Sequence, residues 1–255
     1  MFAFIREHEQ VTARILYAGR SDPGNRRPNN EDAYLVRPEL RFAVLADGMG
    51  GAAAGEIAGN IFVETILEVF LDSARFPAEK VHEFMQNAFH LANERILADA
   101  RAHPQRQGMG CTAEVIAFHD QGYVVGHVGD SRTYLFRRGR LRQLTVDHSL
   151  VQQQVEQGLI TPDQARKHPL RHVILRAVGT SRTLALDLLK GEVYPADIFL
   201  LCSDGLTDMI EDASIASVLS SDLTLQEKVD SLVDMAKSAG GFDNITVILN
   251  EVISV

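Results

Sequence analysis

The spacing of apolar residues along the chain predicts two kinds of element. Short apolar or alternating runs, typical of strands, cover residues 11–19, 33–36, 41–46, 111–119, 121–128, 133–137, 141–144, 198–202 and 245–250. Apolar residues at intervals of three and four positions, typical of amphipathic helices, cover residues 52–71, 81–96, 214–219 and 225–238, with a break at 72–77. The strands come in blocks with pairs of helices between them. This order predicts an α+β domain with a largely antiparallel sheet system.

Residues 147–178 differ from the segments around them. They are polar and contain two short helical patterns, at residues 149–157 and 162–167. A long segment of this kind between strands is typical of an insertion or lid beside a site. We therefore expect a flap at residues 147–178.

The stretch FAVLADGMGG, residues 42–51, contains the first candidate for chemistry. Its apolar first half predicts a short buried strand that ends at Asp47-Gly48. A carboxylate at the end of a buried strand, next to glycines that allow close approach of the backbone, suits a metal ion bound by carboxylate and carbonyl oxygens. Asp-Gly is also a favoured turn pair, so a plain turn is the alternative reading of this position.

Other acidic residues lie at the borders of predicted strands or in the loop before residue 42: Glu31, Asp32, Asp130, Asp204 and Asp243. Carboxylates that are brought together raise one another's pKa values unless cations neutralise them. An oxygen-only set of ligands suits Mg²⁺ or Mn²⁺, not zinc. Two such ions can bind a phosphate group and activate water, and a nearby arginine such as Arg27 can hold the remaining phosphate oxygens. The residues alone therefore allow a two-metal phosphoester hydrolase.

Composition and charge narrow the classes of partner. The chain has 255 residues, 45% hydrophobic and 23% charged, which is ordinary for a soluble protein of one large domain or two small ones. Its net charge of −9 argues against nucleic acid, because phosphate backbones select basic surfaces. No apolar run is long enough to span a membrane, and residues 1–10 lack the apolar core of a signal peptide. The two cysteines form no disulfide framework, so we expect a cytoplasmic protein without a membrane partner.

Seven segments, in order, resemble the protein phosphatase 2C family of metal-dependent Ser/Thr protein phosphatases in its bacterial form. They are residues 21–34 (SDPGNRRPNNEDAY), 42–51 (FAVLADGMGG), 110–118 (GCTAEVIAF), 127–136 (HVGDSRTYLF), 144–179 (the segment from LTVDHS to RAVG), 198–208 (IFLLCSDGLTD) and 241–252 (GFDNITVILNEV). Together they extend over nearly the whole chain. The resemblance implies a single catalytic domain over residues 1–255, with a central antiparallel β-sandwich flanked by pairs of helices and a flap at about 147–178.

The resemblance also implies roles for individual residues. Asp47 would bridge two tightly bound Mn²⁺ or Mg²⁺ ions, and the backbone carbonyl of Gly48 would bind one of them. Asp204 and Asp243 would complete the site of the other ion, and with Asp47 they are the residues on which catalysis would depend most.

Four further residues receive supporting roles from the same resemblance. Asp32, with Glu31 beside it, would support the ion nearest the Gly48 carbonyl, partly through water. Asp130 would share a weaker third ion with Asp204, and Arg27 would bind the substrate phosphate.

The activity that the resemblance implies is hydrolysis of phosphoserine and phosphothreonine in proteins. A metal-bridging water or hydroxide would attack phosphorus directly. The expected partners are a Ser/Thr protein kinase and its targets, and we expect a monomer. One departure concerns Met49, since eukaryotic members carry a histidine there that is proposed as the general acid. The proton donor to the leaving group therefore stays open between metal-bound water, His148 and His172.

Other reaction classes find less support in the residues. A cysteine-dependent phosphatase needs an arginine-bearing phosphate loop after its cysteine, and neither Cys111 nor Cys202 is followed by one. An aspartyl-phosphate enzyme needs a paired-aspartate motif after its first strand, and the chain has none. A non-catalytic binding module of the same fold and a two-metal nuclease are the remaining alternatives. The intact carboxylate set argues against the first, and the acidic net charge argues against the second.

Overall fold

The structure is a computed structural model that describes residues 13–50, 54–73, 80–120 and 122–255. In chain order the strands are β1 Arg14–Asp22, β2 Asp32–Arg37, β3 Phe42–Met49, β4 Gly110–Cys111, β5 Ala113–His119, β6 Gly122–Val128, β7 Arg132–Arg137, β8 Arg140–Gln143, β9 Asp187–Glu192, β10 Ile198–Cys202 and β11 Ile245–Ser254. The helices are α1 Ala54–Ser73, α2 Val81–Ala102, α3 Leu150–Glu156, α4 Pro162–Arg166, α5 Asp204–Thr207, α6 Asp212–Leu219 and α7 Leu225–Ser238.

The strands form two antiparallel sheets that pack face to face. The first sheet has the order β1-β11-β10-β7-β8, and the second has the order β2-β3-β5-β6-β9, with β4 paired to β3. A core of side chains from both sheets, including Leu45, Ile116 and Phe199, fills the space between them. On the outer faces, central strand side chains such as Val44 and Leu200 pack against helices.

Pairs of helices cover the two outer faces of the sandwich. Side chains of α1 and α2, such as Phe62 and Phe89, join the outer face of the second sheet in one core. Side chains of α6 and α7, such as Ile215 and Leu232, join the outer face of the first sheet in another. The α-β-β-α sandwich expected from the sequence is therefore confirmed. None of the helices in the described part of the chain combines the length and apolar character needed to cross a membrane.

The flap expected at residues 147–178 contains α3 and α4. The Ser149 side chain accepts a hydrogen bond from the Gln152 amide at the start of α3. Thr161 and Gln164 form a capping box at the start of α4, each side chain bonded to the other residue's backbone amide. Both short helices therefore begin at a capping residue. The caps bind backbone amides at the start of each helix and so stabilise helices of only seven and five residues.

Three of the differences between the structure and the predicted elements have a clear structural reason. The strand expected to end at Asp47 continues to Met49 as β3, because its last residues pair with β4. The sequence analysis did not predict β9, a partly exposed edge strand whose sequence DLLKGE lacks regular alternation. It also missed α5, which has only four residues.

Some expectations lie outside the described residues. They are the segment 1–10, the first two residues of the strand expected at 11–19, the small residues at 51–53, most of the break at 72–77, and Gln121.

A buried polar bridge joins the two sheets. Glu114 on β5 accepts hydrogen bonds from His127 on β6 and from Thr133 on β7, which belongs to the other sheet. The second ring nitrogen of His127 donates to the Val146 carbonyl at 2.9 Å. Burial lowers the pKa of His127, but the charge of Glu114 and the hydrogen bonds to Glu114 and Val146 together raise it above its usual value. Burial also raises the pKa of Glu114, so the two side chains form a hydrogen-bonded acid–base pair inside the sandwich.

We expect Glu114→Ala to lower the free energy of unfolding by about 3–5 kcal/mol, because it leaves the buried side chains of His127 and Thr133 without their shared partner. Urea unfolding followed by circular dichroism measures this change. Glu94→Ala is the matched control, since Glu94 is an exposed acid on α2. If the two variants lost equal stability, the bridge between the sheets would have no structural importance.

Candidate metal centre

Strand pairing places Asp32 and Asp47 side by side. The register of β2 and β3 makes them direct partners across the antiparallel pair, so both side chains leave the same face. The sequence pattern predicts Asp32 in a loop and Asp47 at the end of a strand, whereas both lie within the ladder. The ladder therefore fixes the distance between these two carboxylates.

Asp204 and Asp243 come together through the other sheet. Cys202 at the end of β10 pairs with Val247 near the start of β11, so the residues just beyond these strand ends are neighbours. A Cβ atom added at Gly205 would lie 1.9 Å from the Asn244 carbonyl oxygen. Only glycine at position 205 allows the backbone after Asp204 to pack this closely against the segment that carries Asp243.

Asp130 lies where the chain crosses from one sheet to the other. It follows Gly129 in the connection between β6 and β7, and Gly129 has a φ of +116° that favours glycine. The Asp130 side chain is buried, and its Oδ1 atom has no hydrogen-bond partner among the described residues. The Oδ1 atom of Asp32 is likewise buried and unpartnered there.

Two hydroxyl groups fix the orientation of Asp32. Ser203 Oγ and Thr246 Oγ1 donate to Asp32 Oδ2 at 2.8 and 2.6 Å. Ser21 and Asn30 extend this network, since Ser21 Oγ lies 2.7 Å from Thr246 Oγ1 and Asn30 Nδ2 donates to Ser21 at 2.7 Å. With Oδ2 held in this way, Oδ1 of Asp32 is the atom free to bind a ligand.

Thr112 holds Asp47 in a comparable way. Its Oγ1 atom accepts from the Asp47 amide at 3.0 Å and bonds to Ser131 Oγ at 2.7 Å. Its own amide donates to the Asp47 carbonyl at 2.8 Å. Thr112 thereby connects Asp47 to the turn that contains Asp130.

The sequence analysis missed the hydroxyl residues Ser203, Thr246, Thr112 and Ser131. All lie inside the segments that carry the family resemblance, directly beside or near an acidic residue. That adjacency is the only signal in the sequence, since serine and threonine in these positions are equally typical of strands and caps.

Burial and mutual repulsion raise the pKa values of these carboxyl groups. For Asp47 the pKa rises well above its usual value because of burial and then the charges of Asp32, Asp204, Asp130 and Asp243. For Asp204 the causes are burial and then Asp130, Asp208, Asp243 and Asp32.

Two of the carboxyl groups have shifts of moderate size. Burial raises the pKa of Asp32 to about 6, although Thr246 and Ser203 oppose the shift. Burial and the charge of Asp147 raise the pKa of Asp130 to about 7. A protein that places four acids in this environment needs positive charge there to keep them ionised.

The residues present fit hard divalent cations. The atoms at this edge that could bind a metal are carboxylate oxygens. In the described part of the chain, Oδ1 of Asp32 and Oδ1 of Asp130 have no hydrogen-bond partner. A Cβ atom added at Gly48 would lie 2.2 Å from the Gly55 carbonyl oxygen, so the backbone at position 48 packs closely against the start of α1. Such a set of oxygen ligands suits Mg²⁺ or Mn²⁺.

Arg27 and Glu31 lie beside these acids. Arg27 Nη2 donates to Asp243 Oδ2 at 2.7 Å, and the Arg27 side chain is 55% exposed. The amide of Glu31 donates to the Asn244 side chain at 2.8 Å, and its carbonyl accepts from the Gly48 amide at 3.2 Å. The structure therefore brings Arg27 and Glu31 to the acidic edge, as expected from the sequence.

The flap lies against the same edge. His172 Nδ1 and Arg171 Nε lie 3.6 and 3.5 Å from Asp208 Oδ2. The possible ligand atoms of His172, Asp204 and Asp208 all lie within 4.8 Å of one another. His172 is therefore part of the acidic edge.

His148 faces away from the acids. Its Nδ1 atom accepts from the Gly129 amide at 3.1 Å, and its Nε2 atom lies 3.2 Å from Asp187 and 3.0 Å from Arg176. Burial, followed by the charge of His127, lowers the pKa of His148 to about 4. Both properties make His148 a structural residue at the base of the flap.

Metal titration by calorimetry tests this arrangement without measuring activity. We expect Asp47→Asn to lose the tight binding of Mn²⁺, because Asp47 lies beside all the other acids. We expect Asp130→Ala to keep the tight sites and to lose only a weaker one. In metal-free buffer Asp47→Asn should melt at a higher temperature than the unsubstituted chain, since it removes a repelled charge. Loss of the tight sites in Asp130→Ala would contradict the assignment.

Comparisons with known proteins agree with this geometry. The sequence profile of the family "Protein phosphatase 2C" matches residues 19–240. A serine/threonine phosphatase of Listeria innocua, stp, is 36% identical over 236 residues, which cover 91% of this chain and 94% of that protein. The chain spans less than half of the Mycobacterium tuberculosis phosphatase PstP, 46% of its length.

Solved structures give the same result. The crystal structure of the Mycobacterium tuberculosis serine/threonine phosphatase PstP/Ppp is similar with a TM-score of 0.88 and 36% identity, covering 94% of this chain and 99% of that one. The PstP catalytic domain with two manganese ions has a TM-score of 0.86 and 35% identity, with the same coverage of both chains. The expectation of Mn²⁺ or Mg²⁺ agrees with that relative. By sequence, by fold and by the acids gathered at one edge of its sandwich, this chain belongs to the protein phosphatase 2C family.

Proposed function

We propose that this chain is a metal-dependent protein phosphatase that hydrolyses phosphoserine and phosphothreonine. The observation that carries the proposal is the gathering of buried and partly buried carboxylates from both sheets at one edge, with the Arg27 guanidinium beside them. The relatives that match nearly the whole chain are named serine/threonine phosphatases, which supports the same activity.

The residues that would hold two divalent cations are Asp47, the Gly48 carbonyl, Asp204 and Asp243, with Asp32 and Glu31 in support. Asp130 and Asp204 would hold a weaker third ion. When bound, such ions polarise phosphoryl oxygens and lower the pKa of water. Asp32 is oriented for this role by Ser203 and Thr246, which bind the oxygen that faces away from a ligand.

Arg27 would bind and orient the phosphate group of the substrate. Its guanidinium carries several N–H donors, of which one is used by Asp243. The side chain is about half exposed, so the remaining donors are accessible from solvent. Arg27 would therefore position phosphorus over the acids and neutralise part of the phosphate charge.

The proton for the leaving alkoxide would come from His172 or from solvent. Met49 has no proton to give at neutral pH. The Nδ1 atom of His148 accepts from the Gly129 amide, and its Nε2 atom lies between Asp187 and Arg176, so the ring is already engaged. His172 shares the acidic edge with Asp204, and its side chain is 54% exposed.

The partners that we propose are phosphorylated proteins, in particular a Ser/Thr protein kinase and its targets. A relative from Streptococcus pneumoniae is named a protein phosphatase, which supports protein substrates. A monomeric state, a cytoplasmic location and a single domain over residues 1–255 stay predictions from the sequence.

Hydrolysis of a phosphothreonine peptide tests the proposed function. Release of phosphate should stop when a chelator removes divalent ions and return when Mn²⁺ or Mg²⁺ is added. Asp47→Asn should abolish release at every metal concentration that supports the unsubstituted chain. A phosphodiester serves as the second substrate, and it should not be hydrolysed. Activity without metal would contradict the two-metal site, and activity on the diester alone would favour a nuclease.

Substitution of Arg27 tests the phosphate contact. A charge-assisted hydrogen bond to a substrate is worth about 1.5–3 kcal/mol, or about 10–100-fold in kcat/KM. We expect Arg27→Ala to lose about this much, mainly through a higher KM, and Arg27→Lys to recover only part, since lysine lacks paired donors. The assay uses free phosphothreonine at saturating Mn²⁺.

Arg26→Ala is the matched control, because Arg26 is the neighbouring arginine in the same loop. It should change hydrolysis of this small substrate little. Equal losses in Arg26→Ala and Arg27→Ala would show that the total charge of the loop matters and that Arg27 makes no specific contact.

A further inference from the structure

The loop that carries Asp243 also presents an aromatic ring to solvent. Phe242 is 56% exposed, and in the described part of the chain no other phenylalanine or tyrosine is as exposed. It belongs to none of the three cores. Single exposed apolar residues are common on protein surfaces, so exposure alone gives Phe242 no function. Its position and its rigid support are the informative features.

The backbone around Phe242 is tied to the loop that carries the two arginines. Gly240 and Gly241 have φ angles of +141° and +54°, which form a tight turn directly before the ring. The Asn25 amide donates to the Gly241 carbonyl at 2.7 Å, and Asn25 Nδ2 donates to the carbonyls of Lys237 and Gly240 at 2.8 and 3.1 Å. These bonds fix the backbone that carries the ring before any ligand binds. Such preorganisation lowers the entropic cost of binding.

The ring itself is supported on two sides. A Cβ atom added at Gly240 would lie 2.9 Å from ring atom Cε2 of Phe242, so the ring packs directly on the glycine backbone. The guanidinium carbon of Arg26 lies 5.9 Å from the ring centroid, within the range of a cation–π contact. The rest of the ring surface faces solvent.

Two neighbouring contacts connect the same pair of loops. Arg27 pairs with Asp243, and Arg26 pairs with Phe242. Phe242 directly precedes Asp243 in one loop, and Arg26 directly precedes Arg27 in the other. The ring is therefore one residue along each loop from the proposed phosphate contact. An extended peptide advances about 3.3–3.6 Å per residue, so a substrate side chain one or two positions from the phosphorylated residue can reach the ring.

We propose that Phe242, supported by Arg26, determines substrate specificity by binding an apolar side chain of the phosphoprotein one or two positions from the phosphorylated residue. This inference rests on the proposed phosphatase function. The chemistry favours an apolar side chain, because the accessible part of the platform is hydrocarbon ring surface. An acidic side chain would meet the charges of Asp243 and Glu31 and of a chain with a net charge of −9.

Peptide kinetics test the inference. The substrates are phosphothreonine peptides in a serine and glycine background, each with one leucine or one glutamate at position −2, −1, +1 or +2 from phosphothreonine, and a parent peptide with neither. At saturating Mn²⁺ we expect at least one leucine peptide to exceed the parent about 3–10-fold in kcat/KM, in line with contacts to an aromatic ring. Phe242→Ser should reduce this ratio to about 1–2, and Phe242→Tyr should keep it.

Leu71→Ser is the matched control. Leu71 is 55% exposed, so it has nearly the same exposure as Phe242, but it lies near the end of α1, 16 residues after Gly55. At 1.5 Å per residue this is about 24 Å along the helix from the site. The preference for leucine should persist in this variant.

The outcomes separate the inference from the function on which it rests. If the unsubstituted chain hydrolyses free phosphothreonine but prefers no leucine peptide, or if Phe242→Ser keeps the preference, the inference is wrong and the phosphatase function stands. A preference for glutamate in place of leucine at these positions would also overturn the inference. If the unsubstituted chain releases no phosphate from any substrate with Mn²⁺ present, the proposed function fails and the specificity proposal fails with it.

Discussion

Repulsion among the carboxylates at one edge of the sandwich is the constraint on which the rest of the structure depends. Burial and the charges of several other acids raise the pKa values of both Asp47 and Asp204. A flexible chain would relieve this repulsion by moving the side chains apart. Here the strand ladder holds Asp32 opposite Asp47, and the hydroxyl groups of Ser203 and Thr246 bind one oxygen of Asp32. Because the side chains are held in place, only protons or cations can reduce the repulsion. The arrangement of the acids therefore carries an electrostatic cost that a bound divalent ion would remove.

The acids come from both sheets, so the packing of the sheets sets the geometry of the site. Asp32 and Asp47 belong to the second sheet, while Asp204 and Asp243 adjoin strands of the first. The hydrogen bonds of Ser203 and Thr246 to Asp32 cross from one sheet to the other, and so does the bond between Thr133 and Glu114. A shift of one sheet against the other would change the distances between acids that belong to different sheets. Buried polar bonds, which are directional, resist such a shift better than apolar packing alone.

The sequence predicted the acids but not the bonds that hold them. Four of the acids lie next to apolar runs: Asp47, Asp130, Asp204 and Asp243. This local pattern can be recognised without any knowledge of the fold. Ser203 and Asp32 are 171 positions apart, and nothing in the spacing indicates that they touch. The edge strand β9 was missed because half-exposed residues give no clear alternation, and the true end of β3 depends on its pairing with β4. His148 was a candidate acid on the sequence alone, and only its contact with Gly129 shows its structural role.

Chemistry and recognition are placed on parts of the molecule with different tolerance to change. The acids adjoin paired strands, where a substitution alters the balance of charge and the contact between the sheets. Phe242 lies in a turn whose backbone is fixed by Asn25 while its side chain stays in solvent. When that side chain is replaced, the ring surface is lost, while the bonds of Asn25 to Lys237, Gly240 and Gly241 still hold the turn. Specificity for the protein substrate can therefore vary at position 242 while the charge arrangement beside it stays unchanged.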